Sequence, residues 1–361
     1  MKSSKTMIAL GLALSAIVSA QGMAATETSP VDPLLLPYAK PDILAKLPDG
    51  RAIHLKCMGA GSPTVILNAG LGDWSEVWRK VQPSVATTTR VCAWDRPGYG
   101  FSDGSLQTQT VANTTSDLEG ALRAARVPGP YVMVGHSLGG YESLLFADQH
   151  RDAVVGMVLV DPAIPDQFAR LRRASPALAA SLEAVDRMGA DDLRICEAAV
   201  KSGKVTPGSP YAEGCLVYPP TYPPRTTAAL SKLDVEPGRW AAKVSLLENV
   251  ELSGRLVVNH ARNYGAMPLV VLTAVMPQSI PNGLPSAIAE GYAKGYPAYL
   301  AEWTRAHDEL AALSSRGRNQ LVSDSTHYIQ IERPDVVIDA ISEVVSESRH
   351  AAGAERQGAG G

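Results

Sequence analysis

Short, unbroken apolar runs punctuate this chain, and between them apolar positions recur every three or four residues. Thr64 to Leu67, Arg90 to Trp94, Tyr131 to Val134, Val154 to Val160 and Pro268 to Ala274 have the length and β-branched content of fully buried strands. Trp74 to Val85, the face made by Val111, Leu118, Leu122 and Ala125, and the segment opening at Gly139 with Tyr141, Leu144, Leu145 and Ala147 carry helical spacing. Strand and helix alternating at this rhythm predict a mostly parallel, doubly wound sheet with helices on both faces. Ahead of it, Ile43 to Leu47 and Ala52 to Met58 are joined by Pro48-Asp49-Gly50, a pattern that predicts a hairpin.

The alternation stops at about residue 164 and resumes near 264. Within 164–263 the pattern predicts helical pieces at Ser175 to Met188, Asp191 to Lys201 and Ala241 to Leu247, separated by Pro-rich loops such as Tyr218 to Pro224. This reads as an α-helical lid inserted between a first core part, 42–163, and a second, 264–345. Its Tyr211, Tyr218, Tyr222, Trp240 and Leu246 suit either an apolar cleft or the lid's own packing. The second core part holds a helical segment around Tyr299 to Ser314, a short strand near Gln320 to Val322, and a last helix. Pro334 opens that helix, and Val336, Val337, Ala340, Ile341, Val344 and Val345 form its apolar face. A small, polar tail over 346–361 is expected to be disordered, and 26–41 is an irregular, Pro-rich lead-in.

Composition narrows the function. The 361 residues are 45% hydrophobic with a net charge of −3, enough to bury a sizeable core. They offer neither the basic footprint of a nucleic-acid binder nor a polybasic membrane patch, so a small molecule is the expected partner. Lys2 and Lys5, an apolar run from Met7 to Ala20, and small residues through Ala25 resemble a secretory signal peptide, 1–25, too short to span a membrane comfortably. Secreted or periplasmic localisation is expected, with no stable membrane span after cleavage. In that oxidising setting the four cysteines, Cys57, Cys92, Cys196 and Cys215, are disulfide candidates. Metal-ligand spacing and cofactor motifs are missing from the sequence, so neither metal nor cofactor is expected.

Candidate chemistry concentrates at Gly135-His136-Ser137-Leu138-Gly139. Ser137 falls on the turn between a buried strand and a helix, where only small residues fit two positions either side. The helix that follows aims its N-terminal amides at the site of developing negative charge. A serine hydroxyl needs a nearby base to become a nucleophile. Of seven histidines, His327 lies in a loop after the last strand. His54, His150, His307 and His350 fall on predicted strand, helix or tail positions, His136 packs beside the site, and His260 at the lid's end is a weaker pocket candidate.

Gly135 to Gly140, the strand-end loop Asn68 to Asp73, the Asp95-Arg96-Pro97-Gly98-Tyr99-Gly100-Phe101-Ser102-Asp103 stretch and Ser325-Thr326-His327-Tyr328 together resemble the α/β-hydrolase family over nearly all of the mature chain. That resemblance implies an α/β fold with eight strands and Ala52 to Met58 beside Arg90 to Trp94. It implies a Cys57 to Cys92 pairing on those neighbouring strands, leaving Cys196 with Cys215 in one segment. It implies Ser137 as nucleophile, His327 as base, and a carboxylate to orient the histidine. The usual place, after Leu269 to Ala274, holds no carboxylate, so Asp161 after Val154 to Val160 is expected to serve, with Asp324, Glu290 and Asp308 as alternatives. The oxyanion hole is expected at the amides of Leu138 and Leu71, with Leu71 against Gly72 left open, and Asp95, Arg96 and Asp103 are expected to be structural. The expected activity is hydrolysis of a carboxylic ester through an acyl-enzyme. Lactone, thioester, amide or acyl-transfer chemistry, and a non-catalytic binding protein, stand as alternatives.

Overall fold

A computed structural model describes residues 30–276 and 284–358; the segment expected to be a signal peptide lies outside the described residues. The strands are β1 (Ile43–Lys46), β2 (Ala52–Met58), β3 (Thr64–Asn68), β4 (Val91–Trp94), β5 (Tyr131–His136), β6 (Val154–Val160), β7 (Leu269–Ala274) and β8 (Gly317–Val322). They form one eight-stranded sheet in the order β1-β2-β4-β3-β5-β6-β7-β8. β2 runs antiparallel to β1 and β4, and the remaining pairs are parallel. Successive side chains of a strand point to opposite faces. Met133, Met157, Leu159 and Val271 therefore enter one core layer, while Val132, Val134, Val158 and Leu272 enter the other.

The helices of the core are α1 (Gln82–Val85), α2 (Val111–Ala124) and α3 (Leu138–Gln149). Between β6 and β7 lie α4 (Gln167–Ala174), α5 (Pro176–Lys201), α6 (Pro210–Cys215), α7 (Pro224–Leu233), α8 (Pro237–Glu248) and α9 (Val250–Leu256). After β7 come α10 (Ser286–Ala311), α11 (Ile329–Glu332) and α12 (Pro334–Gly358). The layer with Met133 receives side chains of α2, α3 and α10; that with Val132 receives those of α12. Disulfides join Cys57 to Cys92 and Cys196 to Cys215. The first ties β2 to β4 at directly paired positions.

Several expectations need correction. Trp74 to Val85 is not one helix but a 3₁₀ turn over Ser75–Trp78 followed by the short α1; Pro83 has no amide hydrogen with which to continue a helical ladder. The two pieces expected at 175–188 and 191–201 are one 26-residue helix, α5. Gly189 sits buried within it, so packing outweighs its poor propensity. Instead of a disordered tail, 346–358 continues α12, because Ser348 is buried and donates to Val155 O at 2.8 Å while Arg349 donates to Ser62 O at 2.9 Å. The lead-in also docks: Leu35 and Tyr38 are buried, and Tyr38 donates to Gln82 Oε1 at 2.7 Å.

The Cys57–Cys92 bridge closes a stretch of sequence separation 35, and such a cross-link restricts the unfolded chain. The double substitution Cys57→Ala, Cys92→Ala is expected to lower the unfolding free energy by about 2–4 kcal/mol in urea titration; an unaltered midpoint would count against a stabilising role.

Candidate functional site

Ser137 stands between β5 and α3 with φ 52° and ψ −121°. A serine adopts that conformation only where the surroundings force it. The force is the close approach of α3 to the sheet: a Cβ on Gly139 would lie 2.3 Å from Asn68 O, and one on Gly135 would lie 2.3 Å from Gly139 O. Only glycine fits at either position. The turn is closed by Ser137 N donating to Val160 O at 3.2 Å, while Ser137 O accepts from Gly140 N at 2.8 Å and Ala163 N at 2.9 Å.

Asp161 follows β6 directly, with φ 41° and 4% exposure. Its Oδ1 accepts from Ala274 N at 3.0 Å and from the Trp303 indole at 2.9 Å, and its Oδ2 lies 2.5 Å from His327 Nδ1. A buried carboxylate is tolerable when its lone pairs are filled in this way. The contact also selects the histidine tautomer, with hydrogen on Nδ1 and Nε2 left as an acceptor. The alternative acids are engaged or exposed elsewhere: Asp324 pairs with Arg333, Asp308 accepts from Asn319 Nδ2 at 2.8 Å, and Glu290 is exposed.

His327 lies in the loop between β8 and α11, which is gripped from two sides. Glu332 accepts from Thr326 N at 2.6 Å, Thr326 Oγ1 at 2.7 Å and Ser325 Oγ at 3.1 Å. From beneath, His136 Nε2 donates to the carbonyl of His327 at 3.0 Å, with ring centroids 4.6 Å apart. Burial and the neighbouring His327 hold the His136 imidazole well below the usual histidine range, so it stays neutral. Its bare Nδ1 and Asp73 Oδ2 are buried, have no hydrogen-bond partner among the described residues and face each other at 3.8 Å. Burial and Glu76 push the Asp73 carboxyl well up. His136 thus does more than pack beside the site, a role carried by a backbone acceptor that leaves no sequence signature.

Ser137, Leu138, Asp161, His327 and Leu71 line one cavity of about 110 Å³, whereas Gly72 lines a neighbouring one. The loop bearing Leu71 rests on the buried Arg96, which donates to Gly70 O at 2.8 Å and Ala69 O at 2.5 Å. Arg96 is itself held by Glu142 through two bonds of 2.7 Å. Asp95 accepts from Ser75 N at 2.8 Å, from Phe101 N at 2.9 Å and sits 2.6 Å from His54 Nδ1. Asp103 accepts from Ala52 N at 2.8 Å. The charged stretch after β4 therefore braces the loop rather than facing the cavity. His260 is exposed and lines none of the described cavities, and His307 is buried between Thr273 and Pro162 O.

The aromatic lining differs from expectation. Tyr218, Tyr222 and Trp240 line the second cavity, Leu246 is in a core cluster and Tyr211 is exposed. The rings on the Ser137 cavity come instead from Phe168 of α4 and from Tyr292, Tyr296, Tyr299 and Trp303 of α10. Their spacing places these last four on one face of a helix, but α10 lies past the insertion, where no cleft is expected from sequence.

A serine on a strained strand-to-helix turn above a mainly parallel sheet, with a histidine and an aspartate from later strand ends lining the same cavity, is the arrangement of an α/β-hydrolase fold. A family model described as alpha/beta hydrolase fold matches residues 63–188 of this chain. The chain is 34% identical over 119 residues to the uncharacterized protein YqjL of Bacillus subtilis, covering 33% of this chain and 47% of that protein. It is 28% identical over 135 residues to the lipase LipV of Mycobacterium tuberculosis, covering 37% and 51%. The chain thus spans about half the length of these curated relatives. Among solved structures, a thermophilic esterase from Thermogutta terrifontis superposes with a TM-score of 0.52 at 17% identity, covering 86% of this chain and 99% of that one. The epoxide hydrolase CorEH superposes at 0.53 and 15% identity, covering 84% and 97%; at such identities the likeness is one of fold.

A histidine kept neutral in the fold but free to protonate when unfolded makes stability fall on acidification. Below the unfolded value of about 6.5 the unfolded chain gains a proton that the folded one refuses. The urea midpoint is expected to drop between pH 7.5 and pH 5.5, and to drop less in His136→Gln, which retains an amide donor for the His327 carbonyl but no titrating ring. An equal drop in both proteins would refute the assignment.

Proposed function

We propose that the protein is an exported serine hydrolase that cleaves a carboxylic ester through an acyl-enzyme. The observation that carries this reading is the 2.5 Å contact between His327 Nδ1 and Asp161 Oδ2 beside a serine held at φ 52° on the same cavity. In the proposed reaction Ser137 Oγ attacks the ester carbonyl carbon as His327 Nε2 takes its proton. Asp161 holds the imidazole in the required tautomer and stabilises the imidazolium that forms. The amides of Leu138 and Leu71 receive the developing oxyanion, aided by the N-terminus of α3. His327 then returns the proton to the leaving alcohol, and a water activated by the same nitrogen releases the acid.

Serine as nucleophile favours an ester over an epoxide or haloalkane, whose relatives in this family attack with aspartate. A cavity of about 110 Å³ favours a short acyl chain. The helical insertion would act as the lid over this cavity. Export is supported by the resemblance of residues 1–25 to a signal peptide and by the two disulfides. No helix among the described residues is long and apolar enough to cross a membrane.

The mature chain is expected to hydrolyse p-nitrophenyl acetate and butyrate. Ser137→Ala is expected to abolish turnover, and Asp161→Asn to lower kcat by about 10⁴-fold through loss of the correct tautomer. Asp161→Asn with undiminished kcat would remove the acid assignment; ester hydrolysis surviving in Ser137→Ala would remove the nucleophile.

A further inference from the structure

The walls of the Ser137 cavity are not electrically neutral. Among the described residues no lysine or arginine lines it, while two aspartates do, Asp161 and Asp186. Asp161 is saturated by Ala274, Trp303 and His327. Asp186, on α5, is half-buried and has neither a hydrogen bond nor an ion pair among the described residues. The charges acting on it are Glu183 and Arg187 of its own helix, and Arg187 is exposed. Burial and Glu183 push this carboxyl up to about 7, because ionising it in place is costly without a cationic partner. An unpaired carboxylate on an apolar wall costs free energy that a complementary ligand group offsets.

α10 contributes the rest. Tyr292, Tyr296, Tyr299 and Trp303 form a continuous run of rings with successive centroids 5.7, 5.8 and 5.2 Å apart, and all four line the cavity. Burial pushes the phenols of Tyr296 and Tyr299 upward, so the rings stay neutral. A cation gains from contact with an aromatic face, most of all when it is desolvated, and a cavity that holds a carboxyl without a cationic partner favours positive charge and draws that carboxyl toward its ionised form.

We propose that this cavity takes a cationic substrate group, a quaternary or protonated ammonium, with Asp186 as its counter-ion and the α10 rings as its aromatic wall. The proposal rests on the reading of Ser137 as an ester-cleaving nucleophile and names the substrate class for it: short esters carrying an ammonium on the acyl or the alcohol side. Hydrolysis itself proceeds as above, with the ammonium taking no part in bond making or breaking.

The test has one arm that needs no turnover. Tetramethylammonium is titrated calorimetrically into full-length Ser137→Ala protein. It is expected to bind, with Kd raised about tenfold when Asp186→Asn is added, while Asp186→Glu, which keeps the charge, stays within about threefold. In the second arm kcat/KM is compared for acetylcholine and its uncharged carbon isostere, 3,3-dimethylbutyl acetate. The ratio is expected to favour acetylcholine about tenfold and to collapse toward unity in Asp186→Asn. Equal turnover of the two esters by the unaltered protein would overturn the proposal and leave the esterase reading intact. Binding that depends on Asp186 without hydrolysis of any ester would uphold the cationic site and remove the catalytic reading. A Kd indifferent to both Asp186 substitutions, in proteins with unaltered circular dichroism, would show that Asp186 is not the counter-ion and overturn the proposal.

Discussion

The approach of α3 to the sheet is the constraint on which the rest of the site depends. Gly139 lies so near Asn68 O, and Gly135 so near Gly139 O, that neither tolerates a side chain. Backbone packed this closely leaves Ser137 no relaxed conformation, and the serine takes up φ 52°. The same geometry sets the start of α3 at the cavity, so that the nucleophile candidate and the positive end of a helix dipole arrive together. Strain of this kind persists only where surrounding contacts over-determine it. Here the contacts are the bonds closing the turn to Val160, Gly140 and Ala163.

Around that turn, buried polar groups fix the remaining members rather than merely stabilise the fold. Asp161 fills its oxygens from β7, α10 and the histidine loop, so three separately folded pieces converge on one carboxylate. Arg96 and Glu142 pair beneath the strand-end loop and hold its carbonyls. An ion pair this deeply buried is weak testimony to stability; its evident use is to hold in place the backbone next to Leu71. His136 serves the same purpose under His327, neutral because a charge there would be both desolvated and beside another imidazole.

Sequence and structure agree where one physical signal dominates. Buried strands announce themselves by unbroken β-branched runs, and Ser137 by glycines that only a close backbone approach demands. The resemblance to the family points to Asp161 once the segment after Leu269 to Ala274 is seen to hold no carboxylate, and in the structure its Oδ2 lies 2.5 Å from His327 Nδ1. Disagreement arises where signals compete. Gly189 reads as a break but lies buried inside α5, and the small residues of α12 read as tail until Ser348 and Arg349 find backbone acceptors on the body of the protein. The cavity's rings carry no sequence signal because Tyr292, Tyr296, Tyr299 and Trp303 sit on α10, beyond the helical insertion. His136 was undervalued because its partner is a carbonyl distant by 191 positions.

The central claim is that the Ser137 hydroxyl is an activated nucleophile aimed into the cavity with His327 as its base. Intact-protein mass spectrometry after treatment with diisopropyl fluorophosphate, followed by peptide mapping, tests it without presuming a substrate. The account predicts a single diisopropylphosphoryl adduct on Ser137, formed far more slowly in His327→Ala. An unlabelled Ser137, or labelling as fast in His327→Ala as in the unaltered protein, would contradict it.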